Sequence, residues 1–382
     1  MVRWKNGLKN RVKMFLDKIS LVNFRNYSNL ELNFEKNINI FIGNNAQGKT
    51  NILESIYVLS ISKSHRCNKD LFLIKSDCLF TKIKGIVNNE DYSNEYEILI
   101  NKNGKRVSIN NNPLKKVSEY VSKINTIMFC PDDLEIIKGT PSNRRSFLNT
   151  SLGQFYSDYL IKLTRYNKIL KNRNEYLKNT DKIDHTYFDI LTDELIDLNI
   201  EIYKYRIDFI NKLNHYIVDI YKSITGKDNI KIKYDSFIDN HIDDIKGELQ
   251  DKFARVFESE YIQKTTFIGI HKDDFSLYID DVKINNFGSQ GQHRISILCL
   301  KLAEIEIYRK EYNKKPILLL DDIFSELDKD KKINIIKYIK SDLQVFITST
   351  DLANIDKKIV KDADIFYVED GKVNKGENNG RK

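Results

Sequence analysis

An α/β fold built around a glycine-bounded loop and interrupted by a helical lobe is what this sequence predicts, and three observations carry the prediction. The apolar run Ile38-Asn39-Ile40-Phe41-Ile42 leads directly into Gly43-Asn44-Asn45-Ala46-Gln47-Gly48-Lys49-Thr50 and then into a helical pattern from Asn51. A second continuous apolar run, Ile317-Leu318-Leu319-Leu320, ends in Asp321-Asp322. Between the two lie long stretches, about residues 144–178 and 187–225, with apolar residues at three- and four-residue spacings and polar faces rich in Lys and Asn.

Strand, loop and Lys-Thr at a helix start form a Walker A pattern. Backbone N–H groups of Gly43, Asn44, Asn45, Ala46, Gln47 and Gly48 and the helix dipole offer a cradle for a triphosphate such as ATP. Lys49 is placed to reach the β- and γ-phosphates, and Thr50 to ligate Mg2+. A buried strand ending in acids has the shape of a Walker B element, with Asp321 as metal partner and Asp322 as the carboxylate that orients or deprotonates water. A third loop, Ser289-Gln290-Gly291-Gln292, opens a helix over residues 295–308. Taken alone, it reads equally well as an ordinary N-cap.

In chain order, residues 1–13 lack a sustained apolar period and read as a loose extension before Met14, the expected biological start. Residues 15–24 and 30–34 pattern as strands, with Asn26, Tyr27, Ser28 and Asn29 as turn residues between them. After the loop, Ile52, Leu53, Ile56, Tyr57 and Leu59 form a helical stripe that ends in a polar turn bearing Lys63, His65 and Arg66. Residues 71–109 are strand-like, with Asn103-Gly104 as a hairpin turn and Asn111-Asn112-Pro113 as a stop. An inserted helical lobe is expected over 131–264, its second long helix ended by Gly226, and residues 230–258 have no clear assignment. The nucleotide fold resumes over 265–370 with a strand at 265–271, a hairpin at 277–284 and buried parallel strands at 317–320 and 345–348. The Gly-, Asn- and Lys-rich stretch 371–382 reads as a disordered tail.

Composition narrows the function. With 41% hydrophobic residues the chain can bury sizeable cores. No apolar run approaches the ~18 residues of a membrane span, so no membrane partner and a cytoplasmic location are expected. Four scattered cysteines suggest neither a zinc site nor disulfides. The net charge of +8 resides in the tails, in Arg3, Lys5, Lys9, Arg11 and Lys13 and in Lys372, Lys375, Arg381 and Lys382 against Glu377. Any nucleic-acid surface must therefore come from local clusters on a balanced body.

Three groups of residues carry resemblances. Ser289 to Gln292, one helix upstream of Asp321, resembles the ABC signature loop, and Ser325-Glu326-Leu327-Asp328 resembles the D-loop. More specifically, Leu21 to Tyr27, Gly43 to Thr50, Ser64-His65-Arg66, Pro131-Asp132-Asp133-Leu134 through Gly139, Arg144 to Leu148, Tyr166 to Asn174, His271 to Asp274, Ser289 to Arg294 and Leu318 to Asp328 resemble the RecF family of bacterial recombination mediators. The resemblance implies an ABC-type P-loop ATPase domain with an antiparallel β-layer, interrupted by the helical lobe. The insertion is too short for an SMC arm at ~1.5 Å of rise per residue.

It further implies an ATP-dependent homodimer in which each ATP lies between one chain's Walker A loop and the other's Ser289, Gln290, Gly291 and Gln292, with Asp328 nearby. The dimer would clamp single- and double-stranded DNA at gaps and work with RecR, RecO and RecA-type proteins. Lys63, His65, Arg66, Arg144 and Arg145, and on the lobe Arg165, Lys168, Lys171 and Arg173, are the candidates for phosphate contact. Arg144 and Arg145 have a bland alternative in pairing with acids such as Asp132 and Asp133, and a Lys-rich helix is usually a solvated face. No aromatic base-reading platform is visible, which favours recognition of backbone and shape.

Three departures stand out. Ile270 stands where the family usually has Pro, Asp322 replaces the Glu of transporter ABC proteins, and Thr348-Ser349-Thr350 lacks their switch histidine. Slow, DNA-stimulated hydrolysis used as a switch is the expectation. A transporter subunit and a nuclease-linked defence ATPase share the ATP motifs, but the Lys-rich lobe suits no membrane partner and no residues after Asp370 suffice for a nuclease domain.

Overall fold

The computed structural model describes residues 14–89, 92–180, 182–239, 243–326 and 343–376. Leu327 and Asp328 of the expected D-loop, and the basic extension 1–13, lie outside them. Contacts divide the chain into two compact units, residues 1–133 with 304–382, and residues 134–303. No described helix is long and apolar enough to cross a membrane.

The first unit holds two six-stranded sheets. One is antiparallel, formed by β1 (Met14–Phe24), β2 (Tyr27–Asn33), β4 (Phe80–Asn89), β5 (Ser93–Asn101), β6 (Gly104–Ile109) and β7 (Asn112–Pro113) in the order β2-β1-β4-β5-β6-β7. The other contains β3 (Ile38–Ile42), β8 (Thr126–Phe129), β12 (Ile317–Asp321), β13 (Val345–Ser349), β14 (Ala363–Glu369) and β15 (Lys372–Lys375) in the order β15-β14-β3-β13-β12-β8. Its first-mentioned edge, β15, is antiparallel, and the remaining five strands run parallel. Every residue of β3, β12 and β13 is buried, which is why these strands read as continuous apolar runs. Helix α1 (Lys49–Ile61) packs on β12, β13 and β8 as well as on β4, β1 and β5. Phe34, Phe41, Phe346 and Phe366 meet in the core on this side.

Several local expectations change. The β1–β2 turn is tighter than its polar sequence implies: Phe24 already pairs with Tyr27, leaving Arg25 and Asn26 at the corner with Arg25 at φ 53°. Residues 70–73 form a 3-10 turn, so strands begin only at Phe80. The expected tail starts as β15, a strand fixed by ladder bonds to β14 and by Lys375 pairing with Glu35 and Asp364.

The second unit holds α2 (Pro141–Phe155), α3 (Ser157–Asn179), α4 (His185–Thr225) and α5 (Ile245–Gln263). The expected single helix over 144–178 is broken at Tyr156, which is extended. Gly153 permits the fold-back, since a Cβ there would lie 2.7 Å from Leu160 Cδ2. Gly226, at φ 76°, ends α4 in the left-handed conformation as expected. The unassigned segment supplies β9 (Ile230–Asp235) and α5. β9 pairs with β10 (Asp274–Ile279), which pairs with β11 (Val282–Lys283). This pairing moves the 277–284 hairpin into the second unit, whose limit falls at residue 303 rather than 264.

The expected strand over 265–271 is an irregular turn. Buried side chains hold it: Arg206 donates to the Ile270 carbonyl at 2.7 Å, and the Ile270 N–H donates to Asn199 Oδ1 at 2.9 Å. A proline at position 270 could not make that second bond. The Tyr166 hydroxyl lies 2.6 Å from His271 Nδ1, and His271 Nε2 lies 3.2 Å from the Thr266 carbonyl. A neutral ring with its proton on Nε2 satisfies both contacts. Burial, joined by the charges of Lys272, Arg145 and Arg173, lowers the His271 pKa from 6.5 to about 4.

The folded chain therefore takes up this proton later than the unfolded chain. Its contribution to stability is complete above pH 6.5 and falls between 6.5 and about 4 by about 1.4 kcal/mol per pH unit. Urea unfolding across that window should show the decline, and His271→Gln should flatten it; an unchanged slope would refute the assignment.

Candidate nucleotide-binding site

The site begins where β3 delivers Gly43 to the loop. A Cβ on Gly43 would sit 2.2 Å from the Val368 carbonyl oxygen, so only glycine lets the chain leave the sheet here. Gly48 has φ 111°, and a Cβ there would lie 2.6 Å from both Asn26 Nδ2 and the Tyr27 hydroxyl. The β1–β2 corner thus braces the loop from outside. Tyr27 donates to the Gly48 carbonyl at 3.1 Å, Asn51 Nδ2 donates to Asn26 Oδ1 at 2.8 Å, and the Asp370 N–H donates to Gln47 Oε1.

Asn45, Ala46, Gly48, Lys49, Thr50, Asn51, Arg66, Asp321, Asp322 and Thr348 line one cavity of about 340 Å³. Lys49 Nζ donates to the carbonyls of Gly43 and Asn44 at 2.6 and 2.7 Å, inside the curve of the loop. Burial lowers the Lys49 pKa, with Asp322 and Asp321 opposing it. The Thr50 and Thr348 hydroxyls both donate to Asp321 Oδ1, at 3.0 and 2.6 Å. The Asp322 N–H donates to Thr348 Oγ1 at 3.0 Å, and Asp322 holds φ 50°, a conformation costly for a residue with a side chain.

Buried beneath the loop is Glu54, fully inaccessible on α1. Arg25 Nε and Nη2 donate to its two oxygens at 2.9 and 2.6 Å, and the Ser64 hydroxyl donates at 2.5 Å. Burial alone would raise the Glu54 pKa, but the bonds from Arg25 and Ser64 and the charges of Arg25 and Arg66 outweigh it and lower the value. Arg66 reaches the cavity with Nη1 2.9 Å from Asn51 Oδ1 and 3.5 Å from Glu54 Oε2.

The residues fit ATP with magnesium. Thr50 and Asp321 are hard oxygen donors of the kind Mg2+ takes in small number, completing its shell with phosphate and water. The Lys49 ammonium has only neutral carbonyls as hydrogen-bond acceptors within the loop, and glycines clear the backbone.

In the second unit, Ser289, Gln290 and Gly291 are exposed at the N-terminus of α6 (Gln290–Tyr312). The Ser289 N–H donates to Gln292 Oε1 at 2.8 Å and the Gln292 N–H to Ser289 Oγ at 3.2 Å, a reciprocal capping box. A Cβ on Gly291 would meet only Ser289 Oγ, 3.9 Å away, leaving the helix end open to an anion.

The basic candidates separate sharply. Lys63 and Lys168 are exposed. Arg165 pairs with Glu194 and Lys171 with Glu175 at the surface. Half-buried His65 lies edge-on to Tyr57, and burial lowers its pKa despite the nearby charges of Glu54, Asp321 and Asp133. Arg66 is exposed and lines the cavity beside Asn51.

Two expectations of DNA contact are corrected. Arg144 is buried and forks onto Asp274 at 2.6 and 2.9 Å, with Nη1 on the Gly139 carbonyl. Its acid is therefore Asp274, and neither Asp132 nor Asp133. Arg173 is buried against Glu260 at 2.7 Å, with Phe188 beneath it. Half-buried Arg145 donates to the Asp273 carbonyl.

The sequence pattern gave Arg25, Asn26, Tyr27, Glu54 and Thr348 no part in the nucleotide site. The available signal for Glu54 was a lone carboxylate between Leu53 and Ile56 on a helix buried nearly all round.

A Walker A loop, an Asp-ended parallel strand one strand away in the same sheet and an antiparallel sheet in one unit define an ABC-type ATPase of the SMC-head class. A family profile described as the RecF/RecN/SMC N terminal domain matches residues 15–374. The Smc head domain of Pyrococcus furiosus shares the fold at TM-score 0.53 and 15% identity, covering 95% of this chain and 96% of that one.

The chain belongs to the RecF family. It is 38% identical to the DNA replication and repair protein RecF of Oenococcus oeni over 95% of this chain and all of that one. It is 41% identical to RecF of Listeria monocytogenes serotype 4b, again over 95% and 100%. A solved recombination mediator protein RecF with ATP, from the RecFOR pathway, superimposes with TM-score 0.90 at 32% identity, covering 97% and 100%.

If Arg144 is a structural brace, Arg144→Ala should cost about 3–5 kcal/mol in urea unfolding by stranding Asp274. The salt dependence of DNA binding, measured under conditions where the variant stays folded, should not change. A slope reduced by about one with stability intact would reinstate Arg144 as a phosphate contact.

Proposed function

We propose that this chain is an ATP-dependent DNA-binding recombination mediator that acts at single-strand gaps in DNA repair and replication restart. The observation that carries the reading is the cavity in which Lys49, Thr50, Asp321 and Asp322 converge, in a chain resembling RecF proteins over nearly its whole length. That a solved relative is a RecF with ATP supports ATP as the nucleotide here.

In this reading Lys49 and the loop amides hold the phosphates, and Thr50 with Asp321 hold Mg2+, which supplies charge neutralisation on the phosphates. Asp322 is the catalytic carboxylate, orienting water. Two copies assemble on ATP, and each offers the open helix end at Ser289, Gln290, Gly291 and Gln292 to the nucleotide of the other. The capping box supports this use, because it pre-forms the helix end while leaving Gly291 bare. The dimer clamps DNA, with Lys63, Arg165, Lys168 and Lys171 among the exposed basic candidates. RecR, RecO and a RecA-type recombinase are the proposed protein partners. Hydrolysis is slow and releases the clamp.

Sedimentation of wild type and Lys49→Ala, with and without ATP, Mg2+ and gapped duplex DNA, tests the proposal. ATP-dependent dimerisation that tightens DNA binding and disappears in the variant is expected. A wild type that binds ATP yet stays monomeric and indifferent to DNA would contradict it.

A further inference from the structure

Glu54 raises a question that the phosphate-binding loop does not answer. A fully buried carboxylate is costly unless paired and hydrogen-bonded, and here two guanidinium groups and a hydroxyl converge on it. The shares are unequal. Arg25 takes the carboxylate through both Nε and Nη2, in the bidentate geometry that makes the strongest such pairs. Arg66 approaches one oxygen through Nη1 alone at 3.5 Å, a marginal distance, while its better bond goes to the neutral amide of Asn51 at 2.9 Å.

The charge count follows. One carboxylate and two guanidiniums leave a single net positive charge, and the pairing places it on Arg66, at the cavity wall. The turn that carries Arg66 is fixed from the same centre. Ser64 Oγ donates to Glu54 and also accepts the backbone N–H groups of Arg66 and Cys67, at 2.9 and 3.2 Å. Ser62, left-handed at φ 61°, ends α1 just before the turn.

We propose that Glu54 is a positioning residue for nucleotide binding: through Ser64 it holds the turn that aims Arg66 into the cavity, while Arg25 absorbs its charge so that the charge of Arg66 stays available to a phosphate. This rests on reading the cavity as a triphosphate site. Arg66 is the anion-reading group, and Glu54 touches no nucleotide. Asn51, one residue after Thr50, links the aim of Arg66 to the helix start that bears the loop.

The test is the Kd of a fluorescent ATPγS analogue with Mg2+, measured on full-length protein. Arg66→Ala should raise the Kd about tenfold, as loss of one charge-assisted contact. Ser64→Ala should raise it by about three- to tenfold, and Glu54→Gln at least as much. Each double variant with Arg66→Ala should match Arg66→Ala alone, because a positioning role vanishes with the group positioned. Ser64→Ala leaves every charge in place and carries the test by itself should Glu54→Gln not fold.

Wild-type Kd values in Ser64→Ala, or effects that multiply in the doubles, would overturn the proposal. Lys49→Ala separates the two levels. Binding lost there but kept in the Ser64 and Glu54 variants overturns the positioning role alone, whereas binding kept in Lys49→Ala overturns the reading of the cavity as well.

Discussion

One carboxylate oxygen, Asp321 Oδ1, accepts hydrogen bonds from Thr50 and from Thr348, and so joins three segments that are remote in sequence. The joint exists because β3, β13 and β12 are neighbours and parallel, which brings their C-terminal ends to a single edge of the sheet. That edge is where open α/β sheets bind ligands. The loop after β3, the acids at the end of β12 and the threonine on β13 converge there. Continuous burial of these strands makes the register rigid, and the rigidity is transmitted to the cavity wall.

Around this edge the antiparallel sheet acts as a buttress. Its β1–β2 corner presses Asn26 and Tyr27 against Gly48, a fit that only glycine allows, while Arg25 from the same corner neutralises Glu54 beneath the loop. Buried ion pairs seldom add much net stability, because desolvation consumes most of the attraction. What they confer here is geometry: a set of donors whose directions are fixed before any phosphate arrives. The second unit uses the same device at Arg144, Arg173 and Arg206, each locked to a buried or half-buried acid to pin the 265–274 turn or the helices around it.

The loop 43–50, the Asp-ended strand, the hairpin at 277–284 and the Gly226 stop were legible because each is a local pattern of period, glycine and acid. What escaped was set by distant partners. Strand alternation identified β10 and β11 but not that β10 would pair with β9, so the unit limit was misplaced. Arg144 and Arg173 look like the solvated basic face of a helix until Asp274 and Glu260 arrive from residues far along the chain. The break at Tyr156 has no Pro or Gly at the corner itself, and Gly153 reveals its purpose only once Leu160 is seen against it. Glu54 was hidden for the opposite reason, a polar residue inside an apolar stripe whose partners lie on either side of the loop in sequence.

If Thr50 and Asp321 hold magnesium as proposed, the cavity is a magnesium-dependent triphosphate site. Isothermal titration of ATPγS into wild type and Asp321→Asn, with Mg2+ and with EDTA, tests it most directly. Mg2+ should tighten wild-type binding by about tenfold or more, roughly 1.4 kcal/mol, and should make little difference to Asp321→Asn. An equal response to Mg2+ in both proteins would contradict the account.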